Sequence, residues 1–151
     1  KSQICANQAL PRAGKIFVSV KEEDKRNVAF LAKKLRDLGF GIVATRGTAK
    51  VLRSSGLSSE IVEKKGDDKN DILARINRGD IRLIINTPSG ERGQTDMRAI
   101  RAAAILHNVP CITTLQGAWA AVNGMEMVQQ EQLTVKPLQD YYKERAKVYA
   151  A

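Results

Sequence analysis

Along this chain a short apolar run repeatedly gives way to a segment with helical spacing, and that alternation most constrains the fold. The first run, Lys15-Ile-Phe-Val-Ser-Val20, follows Pro11 and Gly14 and reads as a strand. Asp24 can cap the helix that follows. Val28, Leu31, Ala32 and Leu35 form its apolar stripe at i, i+3, i+4 and i+7, and Gly39 closes it. A strand at 41–45 then leads to a short helix at 48–55 that stops at Gly56. A third strand covers roughly 59–64. Asp67 to Asn70 can start a helix carrying Ile72, Leu73 and Ile76, ended by Gly79. Ile81-Arg-Leu-Ile-Ile85 reads as a fourth strand, and its unbroken apolar portion predicts burial on both faces. A helix at 95–107 turns Ile100, Ala103 and Ala104 inward. The strand Cys111–Leu115 and a helix from about Ala118 to Val128 follow. Strand and helix alternating at this short spacing predict a parallel sheet with helices on both faces, a single α/β doubly wound domain.

The ends read differently from the middle. Residues 1–13 resemble a linker, the domain proper covers 14–135, and 136–151 form a tail in which Leu138–Tyr149, after Pro137, reads as a charged peripheral helix. With Lys rather than Met at residue 1, the chain is expected to be an excised piece of something longer. At 151 residues it is long enough for one domain with a core and too short for two. No stretch has the length of a membrane span or the form of a signal peptide, so no membrane partner is expected. Cys5 and Cys111 lie far apart with no CxxC pattern. They fit a reducing cytoplasm, with Cys111 a small core residue, and imply no metal site.

The formal charge of +9 points to a polyanion, an acidic protein surface or a phosphorylated small molecule. Aromatic residues are only 5% of the chain and do not interleave with the basic ones, which argues against a stacking platform for nucleic acid.

In such a sheet ligands bind beyond the carboxyl ends of the strands, near the point where strand order reverses. The loops there are Lys21–Lys25, Thr45–Ala49, Glu63–Asp68, Asn86–Gly90 and Thr113–Gly117. The stretch Ala44-Thr-Arg-Gly-Thr-Ala49 sits at a strand-to-helix turn, where unpaired N–H groups and the positive end of the helix dipole attract anions. Gly47 admits close backbone approach, Thr45 and Thr48 offer hydroxyls, and Lys25 and Lys64 can supply charge from neighbouring loops. Taken alone, Thr48 can equally be an N-cap and Gly47 a turn residue. Asn86-Thr87-Pro88-Ser89-Gly90 has the same double reading. Asp67, Asp68, Asp71 and Asp96 can serve as a general base or simply begin helices, where carboxylates are favoured. His107, the single histidine, lies near a helix C-terminus and reads as a dipole partner or packed residue, and Trp119 reads as core.

The ordered set "IFVSVKEEDK", "LGFGIVATRGTAKVL", "GDIRLIINTPSG" and "IRAAAILHNVPCITTLQGAWAAV" resembles the carboxyl-terminal regulatory domain of the carbamoyl-phosphate synthetase large subunit, of the methylglyoxal-synthase-like superfamily. The similarity runs from about residue 1 to about residue 135, and "KSQICANQALP" resembles the join to the preceding synthetase domain. The resemblance implies a Rossmann-like sheet of five parallel strands ordered 3-2-1-4-5. It implies an allosteric role, with uridine monophosphate as inhibitor, inosine monophosphate able to activate and ornithine as activator. It places the nucleotide site at Lys25, Thr45, Gly47, Thr48, Lys64, Asn86 and Thr87, and an ornithine-linked threonine at Thr113. Where the enterobacterial pattern has a second threonine after the asparagine pair, this chain has Pro88, which supplies neither a hydroxyl nor an N–H. The domain would be non-catalytic and hold no cofactor. Its parent would use ATP with Mg or Mn to make carbamoyl phosphate for arginine and pyrimidine biosynthesis. Its partners would be the rest of the large subunit, the small glutaminase subunit through that parent, and further copies through oligomer contacts. The alternative within the superfamily is a stand-alone methylglyoxal synthase, which eliminates phosphate from dihydroxyacetone phosphate. It needs a carboxylate base, onto which Asp67 or Asp68 could be placed, and histidines, where this chain has Glu91-Arg92-Gly93-Gln94.

Overall fold

The computed structural model describes residue 11 and residues 13–62, 71–88 and 90–131, with only the backbone described for 90–96. Apart from Pro11 and Ala13, the expected linker lies outside the described residues, as does the expected tail at 136–151. The elements run β1 (Lys15–Ser19), a single 3-10 turn (Glu22–Asp24), α1 (Lys25–Asp37), β2 (Gly41–Ala44), α2 (Arg46–Ser54), β3 (Glu60–Ile61), α3 (Ile72–Asn77), β4 (Ile81–Asn86), α4 (Gly90–Leu106) and β5 (Cys111–Ile112). A last helix, α5, covers 115–131 as far as it is described. All strand pairs are parallel, and the order is β3-β2-β1-β4-β5. That is the doubly wound sheet expected from the alternation, in the strand order implied by the resemblance.

The strands alternate their side chains between two apolar layers. Ile16, Val18, Ile42, Ala44, Leu83 and Ile85 face α1, α2 and α5. Phe17, Val43, Ile81 and Ile84 face α3 and α4. Leu83, Ile84 and Ile85 are all fully buried, as an apolar strand covered on both faces requires. Ile81 and Leu83 are two residues apart yet lie in opposite layers. The cause is a register shift in the β1–β4 pairing, where Lys15 faces Ile81 but Ile16 faces Leu83. The extra residue, Arg82, is exposed, and its side chain crosses Gly14: a Cβ built there would come 2.5 Å from Arg82 Cγ.

Local stops follow the sequence closely. Gly39 takes φ 96° after α1. The Phe40 N–H donates to Leu35 O at 3.0 Å and the Gly39 N–H to Arg36 O at 3.0 Å, the paired bonds of a Schellman cap. Phe40 and Leu35 then bury in the same apolar layer.

The starts depart from expectation. Asp24 occupies the cap position of α1 but is already helical and makes no capping bond, because the acidic 3-10 turn runs straight into the helix. The helix α2 begins at Arg46, not Thr48, and α4 at Gly90, not 95. The last helix begins at 115, three residues earlier than expected, because Thr114 caps it: its Oγ1 accepts the Gly117 N–H at 3.0 Å. Asp71 caps α3 by accepting the Leu73 N–H at 2.9 Å, which gives it the helix-starting role.

At the amino end of the sheet, Lys15 Nζ lies 2.8 Å from Glu60 Oε2, and Arg75 Nη2 lies 3.6 Å from Glu60 Oε1. The Glu60 carboxyl is held below its ordinary 4.5 chiefly by the Lys15 hydrogen bond; desolvation opposes this, and Arg75 adds to the lowering. A depressed folded-state pKa contributes stability that is complete above 4.5 and lost as pH falls through the folded value. The Glu60 side chain is 48% exposed, so solvent screening keeps the contribution within about 1 kcal/mol. Glu60→Gln is expected to lower stability slightly at pH 7 and not at pH 3, as measured by urea unfolding at both.

Candidate functional site

The candidate site lies where the loop after β1 turns to one face of the sheet and the loop after β4 turns to the other. Two bonds tie these loops together. The Thr87 N–H donates to Ser19 O at 2.9 Å, and Thr87 Oγ1 accepts the Lys21 N–H at 2.8 Å. From the adjoining strand turn, Thr48 Oγ1 accepts the Val20 N–H at 3.3 Å. Thr48 is 1% exposed and Thr87 5%. Both hydroxyl oxygens are therefore committed inward to the β1–α1 backbone, and each retains a proton to donate.

Thr45, not Thr48, is the N-cap of α2, with extended φ −69° and ψ 161°. Its side chain does not cap the helix. Thr45 Oγ1 lies instead 3.3 Å from Ser19 Oγ and 3.4 Å from Thr48 Oγ1. The Thr45 side chain thus leaves the start of α2 without its usual cap, and a helix N-terminus favours an anion. Gly47 is inside that turn, not in a loop before it.

Lys25 completes the geometry. Its side chain is 22% exposed, and its Nζ lies 2.6 Å from Glu22 Oε2, on a carboxylate that is 84% exposed. A Cβ on Gly47 would sit 2.9 Å from Lys25 Nζ, so the absence of a side chain is what lets the ammonium lie against the start of α2. A cation beside a helix N-terminus is unfavourable by itself. It becomes favourable when an anion sits between them, where ammonium, N–H groups and hydroxyl protons all point at one charge.

Asn86 ends β4 and is fully buried. Its Nδ2 lies 3.1 Å from Met97 Sδ, and its Oδ1 has no hydrogen-bond partner among the described residues. Thr113 follows β5, one strand beyond β4, and is partly buried. With neighbouring strands about 4.8 Å apart, it stands roughly 10 Å across the sheet from β1. Lys64, Asp67 and Asp68 lie outside the described residues, as does the side chain of Asp96. Lys25, Thr45, Gly47, Thr48, Asn86 and Thr87 thus share one rim. Ser19 belongs with them and is missing from the residues singled out in the sequence. The signal available was its position: a hydroxyl at the carboxyl end of the central strand, adjacent to the switch point.

The other singled-out residues lie elsewhere. His107 Nε2 is 2.9 Å from Asn77 Oδ1, joining the C-terminal ends of α3 and α4 at the far end of the sheet. Trp119 packs against the α1/α2/α5 layer. Cys111 packs on the opposite layer, and burial pushes its thiol pKa up to about 11. No group of three or more His, Cys, Asp or Glu among the described residues is placed to hold a metal ion. Among those residues no helix is long and apolar enough to cross a membrane.

Comparison with known proteins agrees with this architecture. The chain is 45% identical over 146 residues to the carbamoyl phosphate synthase large chain of Rubrobacter xylanophilus, covering 96% of this chain and 14% of that protein. It is 44% identical over 141 residues to the carbamoyl phosphate synthase large chain, C-terminal section, of Methanocaldococcus jannaschii, covering 93% of this chain and 23% of that one. It therefore spans a minor part of the relatives it matches. Among solved structures, methylglyoxal synthase from Elizabethkingia anophelis superposes with a TM-score of 0.60 at 17% identity, over 75% of this chain and 79% of that one, a likeness of fold alone. The family profile of the MGS-like domain matches residues 27–113, a span that holds Thr45, Gly47, Thr48, Asn86 and Thr87 of the rim and begins just after Lys25, and the chain belongs to that family.

Proposed function

We propose that this chain is the regulatory, effector-binding domain of a carbamoyl-phosphate synthase large chain, and that it binds a nucleoside monophosphate by its phosphate at the rim. The observation that carries the reading is the Lys25 ammonium lying against the uncapped first turn of α2 at Gly47, beside the Thr45 and Thr48 hydroxyls. The phosphate would displace Glu22 from Lys25, accept the N–H groups of that turn and take hydroxyl protons from Thr45 and Thr48. Asn86 and Thr87 lie along the same rim toward the base and sugar, and Lys64 would approach from the loop after β3. Uridine and inosine monophosphate are the candidate effectors. Thr113, across the sheet, is assigned to an ornithine response that also needs groups from the rest of the large chain.

The near-complete match of this chain to a minor part of carbamoyl phosphate synthase large chains supports the assignment of the parent. In that setting the domain works in the cytoplasm on an ATP-dependent ligase for arginine and pyrimidine synthesis, with the large-chain body as its direct partner. To regulate, the effector must bind two states of the parent with different affinity. The β1–α1 loop is the element best placed to report occupancy, because Thr48 and Thr87 hold its backbone from either side. Binding is favoured over elimination because the single histidine stands at the other end of the sheet, bonded to Asn77. Proton transfer at the phosphate would then lack an imidazole.

Calorimetry with uridine and inosine monophosphate tests the site. Lys25→Ala is expected to weaken binding ten- to a hundredfold, from the loss of a charged hydrogen bond of about 1.5–3 kcal/mol. Gly47→Ala is expected to weaken it too, by pushing the ammonium aside, while leaving the melting temperature equal or higher. Gly47 is helical, and alanine is more favourable than glycine there by roughly 0.5–1 kcal/mol. Equal binding by wild type and both variants would sink the assignment.

A further inference from the structure

The two helices beside the anion cradle are strongly basic. α1 and α2 carry five and three basic residues and one acidic residue, Asp37. Such a field attracts a ligand more strongly the more negative charge it brings, so by itself it favours a triphosphate over a monophosphate. One element runs against that trend. The 3-10 turn Glu22-Glu23-Asp24 sets three acids in a row, none of them buried, directly before Lys25. Helix capping does not account for them. Asp24 occupies the cap position of α1 without a capping bond, and Glu22 bonds to Lys25.

We propose that this acidic turn sets the charge selectivity of the rim, admitting a monophosphate and turning away a polyphosphate chain, a reading that rests on the effector site proposed above. Lys25 Nζ touches both α2 and the turn: it lies 2.9 Å from where a Gly47 Cβ would be and 2.6 Å from Glu22 Oε2. The lysine side chain is 22% exposed and the glutamate 84%, so the order from α2 outward to solvent is helix start, cation, anion. A phosphate that takes the place of Glu22 on Lys25 keeps that carboxylate as a neighbour. Further phosphates leaving the cradle toward solvent would pass it, with Glu23 and Asp24 in the same turn.

The turn is fixed in place by its backbone. The Lys21 N–H donates to Thr87 Oγ1 at 2.8 Å, and the Asp24 N–H to Lys21 O at 3.0 Å. Its side chains can therefore be neutralised without releasing it. Asn86, across β1 and β4 from these anchors, gives an independent sign of where the rest of the ligand goes. It is fully buried, and its Oδ1 has no partner among the described residues. An unpaired acceptor calls for a donor, which a ribose hydroxyl or a ring N–H supplies and a phosphate dianion does not. The charged part of the ligand is thereby kept at the Lys25 end, beside the turn.

Each pair of unit charges at roughly 8 Å in water changes an affinity by about twofold. A triphosphate brings about two more charges than a monophosphate against the three carboxylates, and screening at physiological salt leaves a combined effect of about tenfold.

The test is calorimetry on the full chain without divalent ions, using uridine monophosphate, uridine triphosphate, inorganic phosphate and tripolyphosphate. Three forms are compared: wild type, the turn variant Glu22→Gln/Glu23→Gln/Asp24→Asn, and a control, Asp37→Asn/Asp80→Asn, which removes two charges at the amino end of the sheet. Wild type is expected to prefer the monophosphate in each pair. The turn variant is expected to shift both ratios about tenfold toward the longer anion, and the control by about twofold or less. The shift should shrink as salt is raised. Unchanged ratios in the turn variant, with only a lower melting temperature, would overturn the proposal by reducing the acids to partners of the α1 dipole. An equal shift in the control would overturn it too, by making net charge the cause. If uridine monophosphate fails to bind while the inorganic pair shifts as expected, the nucleotide reading falls and the charge selection stands. If wild type binds none of the four, both fall.

Discussion

Phe17→Ala is expected to remove about 3–5 kcal/mol of unfolding free energy. Phe17 is fully buried in the central strand β1, between its register partners Val43 and Ile84, and it anchors the layer under α3 and α4. Its ring belongs to the buried cluster that also holds Ile72 and Ile76 of α3 and Ile100 and Ala104 of α4. A loss of that size is a large part of the roughly 5–15 kcal/mol that holds an ordinary domain together. Guanidinium unfolding measures it as a lower midpoint at unchanged slope. Phe17→Leu, which keeps most of the volume, should lose clearly less. The rim would feel the alanine variant as well, because Ser19 is two residues further along the same strand and supplies the carbonyl that Thr87 holds.

Thr48→Val has a smaller cost with a more local origin. The two side chains have nearly the same shape, so the substitution removes a hydroxyl without opening a cavity. The Val20 N–H, which now donates to Thr48 Oγ1 at 3.3 Å in a buried setting, would be left without a partner. A buried unsatisfied donor costs about 1–3 kcal/mol. Thr48→Ser keeps the acceptor and is expected to recover most of that loss. The hydrogen-exchange signature separates this effect from general destabilisation: the amides of Val20 to Lys25 should open faster in Thr48→Val, while those of β4 keep their protection. Lys25→Ala should do the reverse, sparing exchange and stability while losing the effector. If Thr48→Val and Thr48→Ser unfold at the same denaturant concentration, the hydroxyl is not holding the loop.

These two predictions draw on parts of the molecule that differ in how far the sequence announced them. The layers were legible because their signals are periodic. Val28, Leu31, Ala32 and Leu35 mark the buried stripe of α1, and all four are buried as spaced. The unbroken apolar Leu83-Ile84-Ile85 announced a strand covered on both faces. Gly39, Gly56 and Gly79 announced the helix ends, and each adopts positive φ there.

Helix starts were less legible, because several residue types can occupy them. Gly47 and Thr48 looked like a turn and a cap. In the structure they are the first turn itself, since Thr45 already has the extended backbone of an N-cap. Asp24 looked like a cap and is part of a continuous 3-10 to α passage. Thr95 and Asp96 suggested a later start for α4 than Gly90, because a carboxylate near a helix start is a common signal, whereas the chain is already helical at Gly90. The bulge at Arg82 left no trace in the apolar pattern, since alternation cannot be read in a run that is buried on both faces.

The rim residues could be grouped in advance because their loops follow parallel strands, which topology alone brings to one end of the sheet. Their orientation was not legible. Nothing in the string of letters distinguishes a threonine that points at a ligand from one that holds a neighbouring loop. Thr48 and Thr87 commit their oxygens to Val20 and Lys21. Ser19 was passed over because a serine inside an apolar strand reads as a tolerated polar residue until its neighbours are placed around it.

The two outermost strands of the sheet are two residues each among the described residues, Glu60–Ile61 on one side and Cys111–Ile112 on the other. On the β3 side Glu60 is engaged by Lys15 and Arg75, which places charge along that margin. Borders this short give an incoming chain too few backbone groups to extend the ladder. A partner surface that meets this domain is therefore better served by side-chain contacts on helices and loops than by extending the sheet. Contacts of that kind can slide or rotate by small steps and still stay packed. Zippered backbones cannot, so a joint on such surfaces can shift without separating.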